Sequence, residues 1–186
     1  LGHVWRGLAG TGAMALGFTA LGLLPLPEVT ALGYAAPLLT VIFAAMFLGE
    51  QVRVFRLAAV VFGLVGVMIV LAPRITVAPG AGTPAETVGA FAALMGAVLA
   101  AMAQVFVRKL VHSEPTAAIV FYFSVTGAAL SLVVTLPFGW VVPGTGEAAL
   151  LIGAGLLGGL GQILLTESYR HAETGVIAPF EYVSMN

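Results

Sequence analysis

Eight carboxylates, seven basic side chains and three histidines are all that 186 residues offer for ionic or acid–base chemistry. Neither aspartate nor cysteine occurs. Glu181 is the most suggestive group, because it stands several residues inside an apolar stretch between Phe180 and Tyr182. A carboxylate at that depth would exchange a proton or hold a cationic group; the bland alternative is an ion pair with Arg170 or Arg108 near the end of the stretch, and both readings stay open. Glu50 closes another apolar stretch, at a helix carboxyl end where the macrodipole already places partial negative charge. Arg53, three residues on, would compensate it, and the pair reads as a structural or gating contact rather than a ligand contact. Glu167 and Arg170 form a similar acid–base pair near Gln162 and Tyr169. Gln104 and Gln162 offer amide hydrogen bonds inside a bundle, although buried amides more often bond across helices than hold a ligand. Tyr34, Tyr122 and Tyr182 would stack on a planar solute, or else pack and anchor as aromatic residues in membrane helices usually do.

Other chemistries find less support. A membrane-embedded enzyme acting on lipids needs converging His, Asp or Glu at membrane depth, whereas His3, His112 and His171 lie in or near the polar breaks, far apart in sequence. The same dispersal argues against metal ligation. The cluster Gly158-Gly159-Leu160-Gly161 lacks the preceding strand and following Lys-Ser/Thr of a phosphate loop. With no Cys there is neither a disulfide framework nor a thiol nucleophile.

The elements that must position these groups are set by composition. The chain is 60% hydrophobic and 8% charged, with a mean hydropathy of +1.10, against about 25% charged residues in soluble domains. A net charge of −1 gives no basic surface for nucleic acid. Apolar runs long enough to cross a roughly 30 Å hydrocarbon core recur between short polar breaks. The complete ones are Gly7 to Leu24, Val29 to Leu48, Leu57 to Ala72, Thr87 to Val107, Thr116 to Leu136 and Ala148 to Thr166, six in number. A seventh, Thr174 to Asn186, is cut short, and the chain reads as an internal piece of a longer membrane protein.

The breaks carry matching punctuation. Pro25 and Pro27 divide the first two runs, and Thr83-Pro84-Ala85-Glu86 is a capping box with proline at the first helical position. Alternating helices place Arg6, Arg53, Arg56, Arg108, Lys109 and Arg170 on one side and only Arg74 on the other, so the basic side is expected to face the cytoplasm. Close helix contacts are expected at small residues: Ala13 and Gly17, Gly63 and Gly66, and the Gly155 and Gly159 pair. Trp5 and Trp140 read as interface anchors at the two surfaces.

Several strings, taken together, resemble the drug/metabolite transporter superfamily and its EamA-type members. They are Ala20-Leu21 with Pro25, Thr30 to Pro37, Phe47-Leu48-Gly49-Glu50 and Gly63 to Val67, with Tyr169 to Ala172 and Ala178 to Tyr182 as counterparts in a second repeat. The opening LGHVWRGLAG and the string PLPEVTALGYAAPL are also similar to members described as riboflavin transporters. The resemblance implies an all-α integral membrane protein, a polytopic bundle of about ten helices built from two inverted five-helix repeats. Residues 1–74 would hold helices three to five of the first repeat, and residues 84–186 helices six to nine of the second. The implied activity is secondary transport of small organic metabolites across a bacterial-type cytoplasmic membrane by alternating access, coupled to protons or to exchange and without a cofactor. The implied partners are a vitamin, amino acid or nucleoside-like solute and the lipid bilayer, with a homodimer admitted. On this reading Tyr34, Gln104, Gln162, Glu181 and Tyr182 are candidates for the substrate cavity, and Glu50, Arg53, Glu167 and Arg170 for the cytoplasmic gate. A lipid-modifying enzyme or a nonconducting structural subunit is the alternative.

Overall fold

The computed structural model describes residues 1–75, 83–137 and 140–180, and every regular element among them is helical. These elements are α1 (Gly2–Leu21), α2 (Leu26–Gly33), α3 (Ala35–Leu48), α4 (Val54–Ile75), α5 (Pro84–Leu110), α6 (Thr116–Thr135), α7 (Thr145–His171) and α8 (Thr174–Ile177). Five stretches are long and apolar enough to cross a membrane: Leu26–Leu48, Val54–Pro73, Pro84–Leu110, Thr116–Thr135 and Thr145–His171. The first run was expected to be a sixth. Its helix α1 has 20 residues, but Gly, Thr and Arg dilute its hydropathy, and packing against other helices, rather than lipid, faces much of it.

The second run departs from a single rod. Pro37 has no N–H, so the carbonyl of Gly33 loses its helical partner. The chain breaks there, and Tyr34 is the hinge between α2 and α3. At the other end of α3, Gly49 adopts φ +69°, a left-handed turn that L side chains rarely tolerate. The Glu50 N–H then reaches back to the Ala44 carbonyl at 3.4 Å. The fourth run starts where its sequence predicts: Thr83 Oγ1 accepts from the Glu86 N–H at 3.3 Å, and Glu86 Oε2 accepts from the Thr83 N–H at 3.2 Å.

Helix α5 forms the centre. Its buried positions include Gly89, Ala90, Ala93, Gly96, Ala97 and Ala101, so neighbouring backbones approach closely. A Cβ on Gly96 would stand 3.3 Å from the Ala13 carbonyl oxygen of α1, and one on Gly63 would stand 2.7 Å from Leu38 Cδ1. One apolar cluster, with Ala20, Leu32, Leu71 and Ala90, joins α1, α2, α4 and α5. A second, with Val107, Leu110, Ile119 and Tyr169, joins α5, α6 and α7.

The glycines of α7 behave differently from expectation. Gly153, Gly155, Gly158, Gly159 and Gly161 have nothing within 4 Å of a notional Cβ, so among the described residues the Gly155 and Gly159 pair is not a helix contact. This face meets no described helix.

Candidate functional site

The end of the bundle where α3, α5 and α7 finish and α4, α6 and α8 begin collects the charges. Glu50 is its hub. The left-handed turn at Gly49 aims the carboxylate across the bundle, where Oε1 accepts from Arg108 Nε at 3.2 Å, from Thr174 Oγ1 at 3.1 Å and from the Thr174 N–H at 3.3 Å. Arg108 Nη1 also donates to the Tyr169 carbonyl. The Glu50 and Arg108 side chains are 13% and 14% exposed. Arg53, the expected counter-ion, is instead exposed at the start of α4. The physical reason is reach: the turn at Gly49 directs Glu50 towards α5 and α8, away from the segment that follows it.

Glu167 and Arg170 do meet, at 3.8 Å. Thr116 Oγ1 donates to Glu167 Oε2, and Arg170 Nη2 donates to the Glu114 carbonyl at 2.7 Å, which ties the end of α7 to the start of α6. Arg108 and Arg170, the bases considered for Glu181, are thus engaged with Glu50 and Glu167. Glu181 and Tyr182 lie outside the described residues.

Beside this network is a cavity of about 480 Å³. Its walls are α2, α3, α4 and the residues just after α8, and they are mostly apolar: Val41, Val60 and Val67 among them. Three features stand out. Tyr34, at the helix break, lies on the wall; Pro37 and Pro179, prolines of two distant segments, both line it; and Arg56 is the charged residue among its described lining. Arg56 packs so closely on Gly175 that a Cβ there would collide with Nη1. Tyr34 keeps right-handed helical torsions at the break, φ −66° and ψ −3°, so this is a proline kink that turns the cavity wall.

The two glutamines do not line this cavity. Gln104 is half-buried on α5, one turn before Arg108 on the same helix face. Gln162 Oε1 accepts from Arg6 Nη2 at 2.9 Å. Tyr122 is also elsewhere, against His3 with ring centroids 4.6 Å apart. Two residues escaped the sequence reading. Arg56 was seen only as a surface charge, and Arg6, counted with it, is 4% exposed and lies under the Phe123 ring at 3.4 Å from its centroid. Nothing in the local sequence distinguishes Arg6 from the other basic residues near helix ends; its burial comes from α6 and α7, more than a hundred residues away.

Apolar spans packed through small residues, one broken at a cavity wall, define a polytopic α-helical membrane protein. A crystal structure with 24% sequence identity shares the fold, with a TM-score of 0.74 over 97% of this chain and 63% of that one. Residues 2–72 match the EamA-like transporter family. Residues 2–72 thus carry an EamA-like domain, and the chain is similar to members of the drug/metabolite transporter superfamily. Similar proteins are the pseudopaline exporter CntI of Pseudomonas aeruginosa, 32% identical over 97% of this chain and 61% of its own length, and the S-adenosylmethionine uptake transporter of Rickettsia prowazekii, 26% identical over 98% and 59%. Solute carrier family 35 member G1 of Mus musculus is 29% identical over 93% of this chain and 49% of its own length. The chain therefore spans between 49% and 61% of these relatives.

Proposed function

We propose that the complete protein is a secondary transporter of small organic metabolites, working by alternating access between two inverted repeats. Residues 1–74 would contribute to one repeat and residues 84–186 to the other. One observation carries the reading: Pro37 and Pro179, the matched prolines of the two segments, line a single cavity together with Tyr34 at a helix break. Broken helices at an interface between repeats are where secondary transporters build substrate sites. The mostly apolar walls and the ring of Tyr34 suit an organic solute with a flat or hydrophobic part, and Arg56 suits one with an acceptor group.

The Glu50–Arg108–Thr174 network supports a gate at the basic, cytoplasmic end. It spans the two segments through one carboxylate oxygen, so rocking one segment against the other must break three hydrogen bonds together. Energy would come from a proton gradient or from solute exchange. The relatives named for S-adenosylmethionine uptake and pseudopaline export make amino-acid-derived metabolites the first class to screen.

The test is flux in proteoliposomes of the complete protein, with a panel of radiolabelled amino acids, S-adenosylmethionine, nucleosides and riboflavin, with and without an imposed pH gradient. Saturable uptake of a panel member, abolished or strongly slowed in Tyr34→Ala and Arg56→Ala, is the expected result. Flux unchanged in both variants would remove the cavity from the pathway, and folded protein moving no solute would sink the reading.

A further inference from the structure

Among the described residues, Arg6 is the buried charge that the gate and the cavity do not use. It is 4% exposed on α1, and among the described residues only Nη2 has a hydrogen-bond acceptor, the amide oxygen of Gln162 on α7. Its Nε and Nη1 are buried without a partner among the described residues. The face of the guanidinium is covered by Phe123 of α6, 3.4 Å from the ring centroid. Gly10 makes this seat fit: a Cβ there would stand 2.7 Å from Phe123 Cε2 and 3.1 Å from Arg6 Nη1.

A desolvated guanidinium needs both acceptors for its N–H groups and a negative charge to offset its own. A ring face and a neutral amide supply neither in full. A water molecule would satisfy the orphaned protons and leave the charge uncompensated. No carboxylate among the described residues forms a salt bridge with Arg6; Glu114, the acid at this end of α1, lies 3.8 Å from His3. A single positive charge with orphaned N–H donors matches a singly charged anion with several lone pairs, which is the description of a carboxylate. A phosphate dianion would call for a second cation, and the described contacts of Arg6 supply none.

We propose that Arg6, held by Phe123 and Gln162, is the docking point for the carboxylate of a small organic solute. The inference deepens the transport reading, on which it rests for the purpose of the site, by naming a substrate class: compounds carrying a free carboxylate. Entry of the solute between α1, α6 and α7 supplies the missing charge, and so couples occupancy to the packing of those three helices.

The complete protein, purified in detergent at fixed pH and ionic strength, is unfolded thermally while sodium acetate or sodium benzoate replaces sodium chloride, with acetamide as the neutral control. Wild type is expected to gain several degrees saturably with acetate and benzoate, by mass action on the folded state, and nothing with acetamide. Arg6→Gln is expected to lose the response. Gln162→Glu builds a carboxylate into the position that now accepts from Nη2, so it should melt higher without ligand and respond no further; it carries the test should Arg6→Gln fail to fold. Absence of any response in wild type, an equal response to chloride, or a response that survives in both variants would overturn the proposal. Flux in proteoliposomes without a carboxylate response would overturn this inference alone, whereas a carboxylate response without flux of any solute would leave the site and remove the transport reading.

Discussion

At the scale of single residues, Glu50 shows how a three-residue signature acquires a purpose. Leu48-Gly49-Glu50 ends a helix; only the positive φ of Gly49 lets the next residue turn its carboxylate into the bundle. A Cβ in that conformation is strained, so Gly49→Ala is expected to cost about 1–2 kcal/mol, read as a lowered midpoint in thermal unfolding, with Gly49→Asn costing less because Asn tolerates the left-handed region. Glu50→Gln is expected to cost more, about 3 kcal/mol, since it leaves Arg108 mostly buried without its counter-charge. The double variant Glu50→Gln with Arg108→Met should recover much of that loss, and a double-mutant cycle measures the coupling. A cycle with no coupling would mean that the pair contributes nothing beyond its separate contacts. The glycine and the acid were legible in the chain, but the partner was not: Arg108 is 58 positions away and Arg53 was nearer in sequence.

At the scale of elements, the break at Tyr34 carries the functional argument. Pro37→Ala restores an N–H for the Gly33 carbonyl and removes the ring that clashes with the preceding turn, so α2 and α3 are expected to join into one straighter helix. The expected outcome is unchanged or higher thermal stability with slower flux in proteoliposomes, because the kink that shapes the wall of the cavity would straighten. Faster or unchanged flux would dissociate the break from transport. Helix α5 illustrates the opposite case, where local sequence suffices. Its capping box and proline are complete within four residues, and Thr83→Ala is expected to destabilise by about 1 kcal/mol. Contact faces were less legible. Gly96 meets Ala13 as small residues at a helix crossing should, whereas Gly155 and Gly159 have the same spacing and meet no described helix. Spacing states that a backbone can be approached; it does not state what approaches it.

At the scale of the whole molecule, the charge distribution survives folding with one exception. Arg53, Arg56, Arg108, Lys109 and Arg170 gather at one end of the bundle and α4 carries Arg74 to the other, while Arg6 leaves the surface altogether. Positively charged loops resist translocation, so the basic end is expected in the cytoplasm. Reporter fusions or cysteine labelling in the connection between α5 and α6 should report a cytoplasmic location, and in the connection between α6 and α7, near Trp140, an external one. The reverse labelling pattern would invert the bundle and place the Glu50 network at the outer mouth.

What the amino-acid sequence determined alone was what depends on short range: five of its six apolar spans, the caps at Gly49 and Thr83, the side on which basic residues collect, and the likeness to EamA-type transporters. These follow from hydropathy summed over a window or from the chemistry of a few adjacent residues. Tertiary structure decided which groups meet. It gave Glu50 to Arg108 and Thr174 rather than to Arg53, set Pro37 and Pro179 on one cavity, took Gln162 away from that cavity to Arg6, and buried Arg6 beneath Phe123. Each of these is a contact between segments far apart in the chain, fixed by how helices cross, and a basic residue near a helix end reads the same whether its neighbour across the bundle is water, a phenyl ring or a carboxylate.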